Sequence, residues 1–450
     1  MGLNSEILGT ESVHKLILKF GSFSVITMLA TGAVSVVGTL IISKGIDIDA
    51  VGAVGILFPL ITIYFGFSQL VAIGSASYIS RMLGKNKKED AVSAIFVAYI
   101  LTLGISVVLM VLTWVFKDGV LAFLGADGDY AEFSRTYLSF FIFSIPFTAM
   151  TLLASAIFRA YGKLKLSMMV ILVDSLLVIG IDYLLVFAFA SGIVGVAISN
   201  SIASGVSSIL GIFLLIRLNK GFSALKKALK WNVSIFTSIA SIGISALGRA
   251  IATAIFALVL NKIIINLGNE DMLTALGTVN RIIIFLLFTI MGINQAMQPV
   301  VSYNYTSGEN SRVKKALKYA LFYSTIIGLI GTLLGIFFPS QVVGFFTTNT
   351  DILDDATLIF RMQLLLYFTV GLQTLSATYF QAVGKAWISF FLSVFKPLLL
   401  LIPLVYLLPQ LFGDNVFALW WTFAIADAVA SVICFFILRR DVKKLDPQVR

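Results

Sequence analysis

The chain has 450 residues, 59% of them hydrophobic and only 12% charged, with a mean hydropathy of +1.01 and a formal net charge of +10. That apolar fraction exceeds what a water-facing surface tolerates, so the chain reads as an integral membrane protein. A single cysteine, Cys434, and a single histidine, His14, exclude a disulfide framework, metal clusters and His-based triads.

Apolar runs of about 20 residues or more, the length a helix needs to cross a bilayer, follow one another along the chain. A barrel is excluded because its strands would alternate every second residue. The N-terminus carries Glu6 and Glu11 and no small-residue cleavage site after a short apolar core, unlike a cleavable signal peptide. Twelve helices are expected, at 16–43, 50–80, 91–116, 133–158, 166–190, 193–217, 233–266, 273–303, 316–339, 357–383, 387–411 and 415–439.

Alternate connections are basic: Arg81 to Lys88, Arg159 to Lys165, Arg217 to Lys230, Arg312 to Lys318, Lys385, and Arg439 to Lys444. The intervening ones hold acids, among them Asp47, Asp118, Glu132, Asp354 and Asp414. Because positive segments stay in the cytoplasm, both termini are expected there, in an inner (cell) membrane protein of multi-pass topology. The basic clusters set topology and are not a nucleic-acid surface.

The phrase FRAYGK begins at Phe158 and FQAVGK at Phe380, 222 residues later, and the same offset carries Arg217 onto Arg439. GFSQ at Gly66 similarly matches GINQ at Gly292. A six-helix unit returns the chain to its starting side, so a second copy inserts in the same orientation. The expected fold is therefore all-α, with twelve transmembrane helices in two parallel pseudo-symmetric six-helix lobes around a central cleft: residues 1–217, a basic cytoplasmic linker at 218–232, and 233–450. In F-x-A-x-G-K the glycine is expected to end a helix in the left-handed conformation, a structural rather than catalytic role. Two lobes rocking about a cleft form a transporter's geometry.

A charge at the bilayer centre costs at least ~2.5 kcal/mol, so intramembrane charges demand a reason. Asp174 and Asp182 fall on the fifth helix and Asp427 on the twelfth; Arg249, Lys262, Arg281, Arg361 and Lys396 are the basic candidates. Asp182 lies roughly 25 Å along its helix from the basic end, with no basic neighbour in sequence. Desolvation disfavours its charged form, which suits a group that exchanges protons. Asp174 stands about 80° round the same helix, so the two acids can share a broad face.

The 222-residue offset places Lys396 at the position of Asp174. Opposite charges there can pair across the cleft in one state and part in another, or each can hold a separate local partner. Asp427 either caps neighbouring backbone or serves the second lobe's cavity, and Arg249 needs a partner or water. Arg281, like Lys262 and Arg361, can snorkel. The run Asn294, Gln295, Gln298, Pro299 either packs polar faces between helices or lines the cleft. No motif places a nucleophile beside a base, so an enzyme is not expected.

Several segments resemble the MATE (multidrug and toxic compound extrusion) family, in its DinF/MepA-like branch: AVGAVGILFPL from Ala50, GTVNRI from Gly277, GINQAMQPVVSYNY from Gly292, FQAVGKAWISFFLS from Phe380 and VFALWWTFAIAD from Val416. The resemblance implies rocker-switch antiport: a proton or sodium ion enters down its gradient while a cationic or amphipathic organic compound leaves. It implies no cofactor beyond that gradient, a monomer in the bilayer, and coupling at the fifth-helix acid, matched by Asp182, where sodium is one candidate ion. Asn200 stands where the family usually has threonine. The first-helix acid is replaced by Gly38, the asparagine four residues before the fifth-helix acid is Val178, the first-helix proline is absent, and the seventh helix has Gly248 and Arg249 where some relatives carry an acid. Asp182 then carries coupling almost alone, with Asp174 nearby. The alternative reading is a flippase for a lipid-linked saccharide or other amphipathic lipid, for which Arg249, Arg281 and Lys396 would supply basic groups.

Overall fold

The computed structural model describes residues 7–126, 129–218, 232–266, 270–346, 350–412 and 416–445. The expected linker at 218–232 lies outside them except for its two end residues. Among the described residues eleven helices are long and apolar enough to cross a membrane: Val13–Gly45, Phe58–Gly84, Lys88–Val115, Leu164–Ala188, Gly192–Leu218, Val233–Asn266, Met272–Thr306, Asn310–Phe337, Ile352–Val383, Ala386–Leu411 and Phe417–Lys443. A twelfth span is the pair Tyr130–Phe141 and Ser144–Ala160, bent by 54°. Side chains such as Leu103, Val111 and Trp114 on the third span stay exposed, as a lipid-facing surface requires.

The expected second helix at 50–80 is two pieces, a short helix Ile48–Ile56 and a span that restarts at Phe58 with Pro59 in its first turn. Proline is tolerated there because the first turn's N–H groups have no helical partner. The fourth span restarts at Ser144 just ahead of Pro146, and the tenth is interrupted by a 3-10 turn at Tyr367–Thr369. Those two breaks fall at matching positions of the two sequence copies.

The duplicated phrase is a duplicated helix stop. Gly162 and Gly384 have φ of +70° and +84°; Lys163 N donates to Phe158 O and Lys385 N to Phe380 O, each at 2.8 Å. This is the Schellman arrangement, and glycine adopts its left-handed residue without steric cost. Equivalent serines clamp both turns: Ser80 Oγ donates to Ala160 O at 3.4 Å, and Ser302 Oγ to Ala382 O at 3.0 Å. The charges around the turns differ. Arg159 donates to Ser155 and Ser167 hydroxyls, whereas Lys385 pairs with Asp441, which also accepts from Tyr379 at 3.1 Å.

By compactness the chain divides into two units, residues 1–11 with 26–250 and residues 12–25 with 251–450. The first and seventh spans therefore each contribute to both. The first unit's core gathers Leu57, Leu138 and Ala197, and the second's is built on Phe360, Leu419 and Trp420.

Within the first unit the seventh span crosses the second at two glycines with backbone touching backbone. A Cβ on Gly243 would meet Leu70 O at 1.9 Å, and one on Gly74 would meet Ile239 O at 2.1 Å. Small residues permit such close approach where no hydrophobic effect drives helices together. Gly243→Val is expected to force that crossing apart at a cost of about 1–3 kcal/mol, the usual penalty of overpacking. A lowered unfolding temperature of the purified protein would register it; an unchanged one would mean that the crossing relaxes freely.

Candidate functional site

Asp182 ends the regular α-helix Leu164–Tyr183, and the chain continues as a π-helical turn, Leu184–Ala188. Single π turns inside α-helices frequently mark functional positions, because the wider turn re-aims the neighbouring side chains. The Asp182 side chain is turned inward, with the residue 2% exposed. Its Oδ1 accepts from Ser199 Oγ on the sixth span. Its Oδ2 faces the first span at Gly38, where a Cβ would stand 4.0 Å away. The glycine leaves room beside the carboxylate that any longer side chain would occupy.

Ser199 and Asn200 divide one task. Ser199 Oγ lies 2.9 Å from Val196 O as well as next to Asp182, and the hydroxyl has one proton for the two acceptors. When Asp182 is ionised, the serine hydroxyl donates its hydrogen bond to the carboxylate. When Asp182 is protonated, it donates to Ser199, whose own proton turns to Val196 O. That carbonyl is within the helix Gly192–Leu218 and accepts the backbone N–H four residues on, and the Asn200 side-chain amide also reaches it at 2.9 Å, so the serine proton is free to turn either way. The Asn200 side chain donates to that same carbonyl, and Ser199 is the residue that bonds Asp182 directly. Serines are too frequent in these spans for sequence to have singled it out.

Asp174 lies two helical turns earlier, half-buried, and accepts from Ser204 Oγ at 2.9 Å. Lys396, its sequence counterpart, pairs with Asp427 on the twelfth span. Of the two arrangements expected for Asp174 and Lys396, the structure has the local one, with each held on neighbouring helices of its own half. Asp427 also accepts from Gln373 Nε2 at 2.8 Å, and that amide lies 2.9 Å from Ser431 Oγ. Lys396 is the second residue of the π-helical stretch Phe395–Leu401, so both halves distort the same span.

The other expected site residues are dispersed. Arg249 is half-buried on the seventh span, while Arg281, Lys262 and Arg361 are exposed, as snorkelling side chains are. Asn294 and Gln298 are buried on the eighth span, 5% and 6% exposed, with Gln295 half-buried between them.

The comparisons with known proteins agree with this geometry. A family model described as MatE matches residues 24–184 and 232–407. "Multidrug export protein MepA" from Staphylococcus aureus (strain MSSA476) is 27% identical over 398 residues, 87% of each chain. The protein of the same name from Staphylococcus haemolyticus (strain JCSC1435) is 25% identical over 390 residues, 86% of this chain and 85% of its own. Among solved structures, one titled "Outward-facing conformation of a multidrug resistance MATE family transporter of the MOP superfamily" superposes with a TM-score of 0.93 at 20% identity, covering the whole of both chains. "Crystal structure of MATE in the straight conformation" gives 0.92 at 20% identity over 99% of each. These neighbours have the two-lobe fold, and the matched family model spans most of the sequence. The chain belongs to the MATE family of membrane transporters and is not an enzyme.

Proposed function

We propose that the protein is a cation-coupled antiporter that exports cationic or amphipathic organic compounds by rocker-switch alternating access, with Asp182 as the coupling group. The observation that carries this reading is the Asp182–Ser199–Val196–Asn200 network, which accommodates both an ionised and a neutralised carboxylate without orphaning a buried polar atom. A side chain with a fixed structural role needs only one of those states. The multidrug export named for the staphylococcal relatives supports the substrate class.

In the cycle, the ionised carboxylate holds the organic cation, and a proton or sodium ion arriving from outside takes its place. One negative charge cannot neutralise two cations, so loading one releases the other. A charge moved through the membrane is worth ~2.3 kcal/mol per 100 mV, enough to bias the rocking equilibrium. Gly38 fits this economy. Without a second acid on the first span, one monovalent cation suffices to neutralise the site. The basic ends of the spans support a cytoplasmic position for both termini.

The test is purified protein in liposomes with proton and sodium gradients imposed separately, following a cationic dye and a labelled lipid headgroup in parallel. Dye moving against its gradient under either ion, with headgroups stationary, supports antiport. Headgroup translocation without dye movement would replace it with lipid flipping.

A further inference from the structure

The sequence repeat extends to side-chain contacts inside the bundle. In the first half, three spans meet at a polar vertex: Asp174 on the fifth accepts from Ser204 on the sixth at 2.9 Å, and Thr151 on the fourth donates to Ser204 O at 3.1 Å. In the second half, Lys396 on the eleventh span pairs with Asp427 on the twelfth, and Gln373 on the tenth lies 3.3 Å from Asp427 O. Thr151 and Gln373, like Asp174 and Lys396, are 222 residues apart; Ser204 and Asp427 are 223 apart. Both copies therefore build the same three-helix contact, one with a carboxylate among hydroxyls and the other with a carboxylate already carrying its cation.

The first copy has donors to spare. Thr148 Oγ1 lies 3.1 Å from Ser204 Oγ. Ser207 is fully buried, and its hydroxyl is a second partner of the Asp174 carboxylate beside that of Ser204. One carboxylate ringed by hydroxyl oxygens is a hard, singly charged donor set, suited to an alkali cation rather than to a transition metal. The second copy shows what charge balances such a vertex, since a lysine ammonium sits there.

We propose that the Asp174 vertex, formed with Ser204, Ser207 and Thr148, is a sodium site separate from Asp182, and that its copy in the second half is closed to external ions by Lys396. Sodium at Asp174 does the electrostatic work that Lys396 does at Asp427. The two halves then respond differently to salt: the second is balanced permanently, the first only when the ion is present. The site rests on the duplicated contact and not on Asp182 being the coupling group.

The experiment is equilibrium binding of radioactive sodium to the full-length protein in lipid nanodiscs, with potassium as competitor. Three variants are compared with wild type: Asp174→Asn, Asp182→Asn, and the double change Asp174→Lys with Ser204→Asp, which transplants the second half's ion pair. The transplant guards against misfolding, because that pair already packs in this three-helix frame; size-exclusion profiles and helical content check each variant. The expected result is one saturable sodium equivalent that survives in Asp182→Asn and is missing from both Asp174 variants. Absence of sodium binding in the wild type, or binding undiminished in a folded Asp174 variant, overturns the proposal. Loss in Asp182→Asn with retention in the Asp174 variants would also overturn it, by moving the ion to the other acid, while leaving Asp182-based coupling standing.

Discussion

Asp182→Asn is expected to bring gradient-driven efflux down to the level of protein-free liposomes while the variant still inserts and folds. Asparagine fills the same volume and can still bond Ser199, so the packing around the fifth and sixth spans is kept. What it cannot do is change charge. Each elementary charge coupled to transport contributes ~2.3 kcal/mol per 100 mV, about a fifty-fold accumulation, and that contribution goes with the carboxylate. Substrate uptake into loaded and unloaded liposomes measures it directly; efflux equal to wild type would remove Asp182 from the coupling role. Ser199→Ala is expected to act more mildly. It removes the partner that steadies the ionised form, but Asn200 continues to serve Val196 O.

The second large effect is expected at Lys396. Asp427 is 3% exposed, and it is ion-paired with Lys396. Lys396→Ala leaves a buried carboxylate whose remaining donor is Gln373, and losing one partner of a buried pair costs about 3–5 kcal/mol. Removing both charges, as Lys396→Met with Asp427→Leu, is expected to recover most of that loss, since the penalty comes from the stranded charge. Thermal unfolding of the purified single and double variants tests this. A single variant as stable as wild type would show that water or lipid headgroups reach Asp427 freely.

Much of the architecture could be read before any coordinates. Glycine and lysine at the close of FRAYGK and FQAVGK announced two identical helix stops because few residues tolerate a positive φ, and both stops have the expected hydrogen bonds. Length and hydropathy set the number of spans, since the bilayer imposes one thickness on all of them. The bends were harder to see. The break at Tyr367 goes with a tertiary contact that has no local signature, Phe368 N bonding Thr332 on the ninth span, whereas the break at Phe143 has a local signal in Pro146 just after it.

At the site, the acids stood out because charge in a membrane is expensive, whereas their hydroxyl partners did not. Ser199, Ser204 and Ser207 look like any of the small residues that let spans approach. The repeat held more information than was taken from it: an offset one residue longer than the one joining Asp174 to Lys396 joins Ser204 to Asp427, and so points to a contact made within each half. Reading the offset as a sign of attraction between the halves suggested one partner for Lys396, and its neighbour on the twelfth span supplied another.

The central claim is that one carboxylate at position 182 serves the organic cation and the driving ion in turn. Adding a cationic dye to the purified protein in weakly buffered medium tests it most directly, by following the proton or sodium ion released as dye binds. The account predicts release of one such ion per dye bound by the wild type and none by Asp182→Asn. Dye binding without ion release, or release that persists in the variant, would contradict it.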